Sequence, residues 1–319
     1  MLATTTIGSF PLSPRNENFR KALIDQINAR ITYPALPQLE DFCLLYLREF
    51  ERDKCGIEII NETPWITGSI KTPIIRNIIN QIYEAINLLK EHNKEGMLKV
   101  QVTGPLTLAS VTKVTDKMIA LSYESIVEEF IEAITGIVNQ IASINDVKII
   151  FIDEPSLSYA SWMGINEEIL IKAISKPLNK ANSKGKITGV HVCGDIRGLS
   201  NILLQTSAKI LHHEFKGFPQ NLKAYSKKDL EANDKILGLG CVQTVPKDSE
   251  IVIESIGEVV NFIKNAGEKF GFEKIFLAPD CGFKGFRQIF NSEDEAQKIV
   301  KIKMRTMTEA AELIRTTLL

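Results

Sequence analysis

Four side chains able to ligate a metal fall where short apolar runs end. They are His191 and Cys193 in Gly189-Val190-His191-Val192-Cys193-Gly194, Glu214 after Leu211-His212-His213, and Cys281 in Ala278-Pro279-Asp280-Cys281-Gly282. Two thiolates, an imidazole and a carboxylate make a tetrahedral zinc set. The His-x-Cys spacing suits a strand, in which residues i and i+2 share a face. Glu214 follows His191 by 23 residues, about one strand-plus-helix unit, and Cys281 lies 67 residues further on. Ligands spread over three strands indicate a reaction centre, because the ligands of a zinc knuckle cluster in short loops. Strand alternation puts His212 on the face of Glu214 and His213 on the other, so His212 stands as the alternative third-strand ligand.

Zinc bound by two thiolates, a His and a Glu carries little net positive charge. Such a site is poor at making hydroxide from water and well suited to binding a substrate thiol and keeping it as a nucleophilic thiolate. The carboxylate is the weakest of the four and can give way to an incoming sulfur. Alkyl transfer onto a thiol is the chemistry these residues point to.

To bring such residues together, the chain needs many strands ending on one side. Short Ile/Val-rich runs are expected as strands at 4–9, 57–61, 98–103, 148–153, 188–193, 210–214, 236–241 and 275–279. Between them lie amphipathic stretches expected as helices at 37–54, 73–92, 115–144, 167–184, 196–207, 220–233, 249–269 and 292–316, with apolar spacing as in Ile74-Ile78-Ile82-Ile86. Residues 10–30 read as a long insertion before the first helix. Alternating strands and helices in this number predict a (β/α)8 TIM barrel, a single domain over 1–319. Active sites of such barrels lie at the C-terminal strand ends. There the sequence places Ser9, Glu62, Thr103, Asp153 with Glu154, His191 with Cys193, Glu214, Thr244, and Asp280 with Cys281.

A net charge of −1 gives no basis for a nucleic-acid or membrane-surface partner. No apolar run approaches the roughly 18–20 residues that span a bilayer, and the first residues lack the layout of a secretion signal. A cytoplasmic protein is expected. In a reducing compartment an odd set of five cysteines favours metal ligation or reactivity over disulfides. Cys43 and Cys55, among apolar neighbours, read as core.

Five motifs in order make the chemistry more specific. Thr6-Ile7-Gly8-Ser9-Phe10-Pro11, Thr103-Gly104-Pro105, Ile152-Asp153-Glu154-Pro155, His191-Val192-Cys193 and Pro279-Asp280-Cys281-Gly282-Phe283-Lys284 together resemble the catalytic barrel of cobalamin-independent methionine synthases. The resemblance runs over almost the full chain. It implies zinc held by His191, Cys193, Glu214 and Cys281, the carboxylate of homocysteine held by Ile7, Gly8 and Ser9, and its ammonium group received by Asp153. Thr244 stands where the family has a histidine of proton transfer, and Val111 where it has a tryptophan against the pterin ring. Glu62 in Asn61-Glu62-Thr63-Pro64 stands near a family glutamate that contacts the amine. The family's larger members carry a second, N-terminal barrel that helps bind folate. The thiol half of the reaction is therefore expected here, with a methylcorrinoid protein or a methylated folate as donor.

Two rivals stay open on sequence grounds. One is zinc-dependent alkyl transfer to another thiol such as coenzyme M, whose sulfonate a carboxylate at Asp153 would repel and an Arg or Lys would attract. The other is a non-catalytic, zinc-stabilised barrel.

Overall fold

The computed structural model describes residues 2–244 and 251–318. In chain order its strands are β1 (Ile57–Ile60), β2 (Thr63–Ile66), β3 (Leu98–Thr103), β4 (Lys113–Thr115), β5 (Met118–Ile119), β6 (Val147–Asp153), β7 (Ile187–Val192), β8 (Ile210–His213), β9 (Ile236–Gly240) and β10 (Ile275–Ala278). Six of these form a parallel sheet in the order β10-β9-β8-β7-β6-β3. Isolated parallel bridges close it into a ring: Thr4 pairs with Leu277, Thr5 with Tyr33, and Ala35 with Lys99. Helices surround the ring, and the result is the expected (β/α)8 barrel.

Alternation along these strands sorts their side chains. One set packs outward under the helices, as Val100, Val102, Ile150, Ile152 and Val190 do in the main core. The other set fills the ring, where Ile149, Phe151, Ile210 and Phe276 form a separate apolar cluster with Tyr33, Ile187 and Ile236 against it. Stepping two residues at a time from this cluster leads from Phe151 to Asp153, from Ile187 through Gly189 to His191, and from Ile210 to His212 and Glu214. The barrel's apolar floor and its polar mouth are thus one register. Two strand glycines make room inside: a Cβ on Gly189 would lie 2.2 Å from the Phe151 ring, and one on Gly238 would lie 2.6 Å from the Cβ of His212.

The second barrel strand is not the expected one. Residues 57–60 pair antiparallel with β2, and this hairpin joins β4 and β5 in a small sheet of order β1-β2-β4-β5. Its place in the ring is taken by residues 33–38, which touch both neighbours only through isolated bridges. Pro34 and Pro37 remove two ladder donors there, so no regular strand forms and none was legible. Three further corrections concern helices. The supposed insertion at 10–30 carries the first helix, Asn16–Asn28. The helix expected from 115 begins at Glu124, after the β4–β5 turn. The helix expected from Ser249 begins at Ile256; positions 249 and 250 lie outside the described residues. Among the described residues no helix is long and apolar enough to cross a membrane.

Candidate active site

β7 delivers His191 at its end and Cys193 just beyond, and the turn after β10 delivers Cys281. Cys193 Sγ lies 3.0 Å from His191 Nε2, Cys281 Sγ lies 3.5 Å from the same nitrogen, and the two sulfurs are 3.4 Å apart. Metal–sulfur bonds of about 2.3 Å and metal–imidazole bonds of about 2.0–2.1 Å put the ligand atoms of a tetrahedral zinc ion about 3.5–3.8 Å apart. The observed triangle is one face of such a tetrahedron, tighter by a few tenths of an ångström. The electrostatics agree with a cation site. The hydrogen bond from Cys193, against burial and with help from His191, draws the Cys281 thiol well below its ordinary range. The same bond, with burial, pushes Cys193 well above it. Two sulfurs therefore share one proton, which metal binding would release.

Glu214 does not join this triangle. Its ligand oxygens lie outside the group formed by His191, Cys193 and Cys281, and one of them accepts from the Gly194 N–H at 3.0 Å. Burial and the neighbouring Cys281 charge raise its carboxyl above the ordinary value. It borders the cluster without being part of it.

His212 has a different task. Its Nδ1 is 2.7 Å from Nδ1 of His191, and its Nε2 is 3.0 Å from the carbonyl oxygen of Pro279. A carbonyl only accepts, so His212 carries its proton on Nε2 and presents a bare Nδ1. His191 must then donate from Nδ1, which leaves its Nε2 to face the two sulfurs. Burial, reinforced by His191, holds His212 far below the usual histidine range and so keeps it neutral. The reading of His212 as a ligand is set aside by this geometry: both its nitrogens are engaged, and it fixes the tautomer of the ligand beside it. His213 points away, with Nδ1 3.1 Å from the Val192 carbonyl oxygen and Nε2 3.0 Å from the Tyr225 hydroxyl.

Across the mouth, Asp153 ends β6. It is buried, its Oδ1 has no hydrogen-bond partner, and burial, despite His191 and Lys99, lifts its carboxyl to about 6. An orphaned carboxylate oxygen in a closed site is a receptor for a cationic donor. On the neighbouring strand β3, Lys99 and Gln101 touch Ile7 and Gly8. Gly8 holds φ +123, a conformation in which a side chain would be strained, and a Cβ there would strike Gln101. Lys99, fully buried, donates to the Thr6 and Ile7 carbonyls at 2.8 and 3.3 Å, and burial lowers its ammonium to about 8. Ser9 packs so closely on Gly282 that a Cβ on Gly282 would fall 1.8 Å from Ser9 Oγ. The first and last segments of the barrel thus meet beside Cys281.

Residues 57–312 match the family described as the catalytic domain of cobalamin-independent synthases. The chain belongs to this family. It is 27% identical over 305 residues to a methionine synthase of Methanothermobacter marburgensis, covering 89% of this chain and 93% of that one. With a methionine synthase of Methanocaldococcus jannaschii it shares 26% over 331 residues, covering 94% of this chain and all of the other. A B12-independent methionine synthase from Shewanella sp. W3-18-1, solved in complex with selenomethionine, superimposes with a TM-score of 0.70 at 18% identity. That match covers 100% of this chain and 99% of the other, and it speaks for the fold.

The remaining expected residues of this cobalamin-independent synthase domain are placed as follows. Thr244 is buried, and its hydroxyl accepts from the Cys281 N–H at 3.0 Å, so it shapes the turn that carries the thiolate. Glu62 is exposed at the β1–β2 turn with φ +62. It does not end a barrel strand. It lines a cleft of about 380 Å³ together with Phe42, Thr107, Val111, Pro155 and Ser156, at the rim of the mouth.

Several supporting residues had no legible role in the sequence. Glu154, buried beside Asp153, accepts from the Leu106 and Thr107 N–H groups at 2.8 and 2.9 Å and from the Thr107 hydroxyl at 2.6 Å. It thereby caps the helix Pro105–Val111, and Gly104 has to be glycine because a Cβ would lie 2.2 Å from the Glu154 carboxyl group. The Thr-Gly-Pro and Asp-Glu-Pro motifs are two halves of one contact. Asp280 likewise accepts from the N–H groups of Phe215, Lys216 and Gly217, and Asn221 ties Gly194 to Glu214 through their carbonyls. Each carboxylate satisfies backbone donors from a segment distant in sequence. That is a long-range relation with no local signature.

Proposed function

We propose that this chain transfers a methyl group to the thiol of homocysteine, giving methionine, with zinc held by His191, Cys193 and Cys281 and with Glu214 as the exchangeable fourth group. The observation that carries the reading is the His191–Cys193–Cys281 triangle facing an orphaned carboxylate oxygen on Asp153. Zinc bound there supplies a Lewis acid that keeps a thiol deprotonated yet nucleophilic. The chain's own groups do the rest. His212 aims His191; Asp153 receives the ammonium group of the amino acid; the Ile7-Gly8-Ser9 backbone and the Ser9 hydroxyl take its carboxylate, with the Lys99 charge beneath them. Thr244 holds the Cys281 turn in place. The binding groups for an amino-acid end favour homocysteine over a sulfonate-bearing thiol, which Asp153 would repel.

The donor enters from the side of the cleft between Glu62 and Pro155. The methyl group is carried by a corrinoid, free or protein-borne, or by a folate. Val111 stands at the cleft wall where the resemblance would have a tryptophan against the pterin, which favours the corrinoid. The test is methionine formation by zinc-loaded protein offered homocysteine with methylcobalamin, a methylated corrinoid protein and methyl-folates in parallel. Turnover with one donor and its loss in Cys281→Ser are expected. A zinc-loaded protein that turns over with none of them, or a Cys281→Ser variant as active as the parent, refutes the assignment.

A further inference from the structure

Buried hydrogen-bonding atoms without partners are rare in folded proteins, and each one asks for an explanation. Among the described residues three side-chain atoms qualify: Asp153 Oδ1, Gln101 Oε1 and Gln297 Oε1. Gln297 lies on the C-terminal helix, where its amide donates to Asp25. The other two are neighbours. β3 and β6 are paired in register, Thr103 opposite Asp153 and Gln101 opposite Phe151, so Gln101 and Asp153 stand diagonally across one strand boundary. Both point into the ring. On β3, Lys99, Gln101 and Thr103 share a face, and Lys99 reaches the Thr6 and Ile7 carbonyls and the Phe151 ring from it.

Gln101 is fully buried and firmly held. Its Nε2 donates to the Leu36 carbonyl at 2.7 Å, and its backbone carbonyl accepts from the Tyr46 hydroxyl at 2.7 Å. The Leu36 carbonyl fixes which way the amide faces, and Oε1 is left without a partner. The whole amide packs on Gly8, with Nε2 2.0 Å and Oε1 3.0 Å from where a Cβ of that residue would be. Two orphaned acceptors from adjacent strands, next to a glycine in the segment that takes a carboxylate, require a group with several N–H donors. A primary ammonium has three.

We infer that Gln101 is a second acceptor for the ammonium group of the thiol substrate, acting with Asp153, and that the pair selects thiols bearing an α-amino group. This rests on the function proposed above. The division of labour is physical: Asp153 supplies the charge, while the neutral amide supplies a second direction without adding like-charge repulsion. Ligands ending in a carboxylate or sulfonate at that point meet oxygen against oxygen.

The experiment compares homocysteine with 4-mercaptobutanoate, which lacks the amino group, by calorimetric titration of the zinc-loaded full chain. Wild type is expected to prefer homocysteine. Gln101→Met, close in volume but without the acceptor, is expected to weaken homocysteine about 10-fold or more and to leave 4-mercaptobutanoate unchanged. Equal loss for both thiols marks a merely structural residue and overturns the inference, as does no loss for homocysteine. If wild type binds neither thiol, the proposed function falls and takes this inference with it; if it prefers homocysteine and Gln101→Met keeps that preference, the inference alone falls. Should the Met variant fail to fold, Gln101→Glu in its protonated, neutral form retains both the acceptor oxygen and a donor to the Leu36 carbonyl. It is expected to preserve the preference, and losing it overturns the assignment.

Discussion

Replacing His212 by Leu should lower zinc affinity far more than it lowers the stability of the metal-free protein. With metal bound, His191 must present a bare Nε2 and therefore carry its proton on Nδ1, 2.7 Å from His212. His212 is fully buried, so leucine there leaves that N–H facing apolar atoms with no water to replace the lost acceptor. An unsatisfied buried donor costs about 1–3 kcal/mol. At about 1.4 kcal/mol per tenfold, this is a loss of roughly 5- to 150-fold in affinity, the range found when partners behind a metal ligand are removed. The metal-free protein escapes the same penalty. There His191 can move its proton to Nε2 and donate to Cys193 or Cys281, which lie 3.0 and 3.5 Å away. His212→Gln is the discriminating control, because an amide can accept from His191 and still donate to the Pro279 carbonyl. Zinc affinity is read by competition with a chromophoric chelator, and folding stability by urea titration of chelator-treated protein. A leucine variant that binds zinc like the parent refutes the tautomer argument. So does a glutamine variant as weak as the leucine one.

Gly238→Ala sets a methyl group 2.7 Å from the His212 Cα; this overpacking should cost about 1–3 kcal/mol by urea unfolding and reduce zinc affinity by displacing His212. Burial lifts the Asp153 carboxyl to about 6, so the stability it contributes is complete below about pH 4 and lost as pH rises through about 6. Metal-free Asp153→Asn should therefore be more stable than wild type at pH 8 and not at pH 4, while binding homocysteine more weakly; denaturation at both pH values and calorimetry check the two halves. Lys303 and Glu254 form a buried pair at 2.6 Å, both about 1% exposed, and Glu254 also accepts from the Gln243 N–H. Lys303→Met should cost about 3–5 kcal/mol by stranding that carboxylate, and the added change Glu254→Gln should recover much of it.

The residues of the candidate metal cluster and the residues that brace them differed in legibility. His191, Cys193 and Cys281 were readable because strand parity and side-chain type act locally: an i, i+2 pair on a strand must share a face. The same parity could not choose between Glu214 and His212, which stand two apart on one face. What decides between them lies elsewhere in the chain, in the Pro279 carbonyl that fixes one nitrogen and in Gly238, which leaves space for the ring. The barrel itself was legible wherever strands were long and apolar. It was not at residues 33–38, where two prolines break the ladder while the bridging geometry persists. An Ile-Glu-Ile-Ile run next door looked more like a strand and was one, in the wrong sheet.

That misplaced strand carries a consequence for chemistry. With residues 33–38 in the ring, this segment and not the one carrying Glu62 forms the wall beside Gly8, whose carbonyl accepts from the Gln38 N–H at 2.8 Å. Glu62 is left on an exposed turn of the small sheet, outside the barrel's hydrogen-bond ladder. A carboxylate there can contribute to substrate affinity only by folding over the bound thiol, whereas Asp153 and Gln101 are built into paired strands and stand ready beforehand. Pre-formed acceptors lower the ordering entropy of binding, so the amino end of the substrate should be held chiefly from the wall. On this account Glu62→Gln weakens homocysteine less than Asp153→Asn does, by calorimetry on zinc-loaded protein. The reverse order would return the principal ammonium contact to the rim.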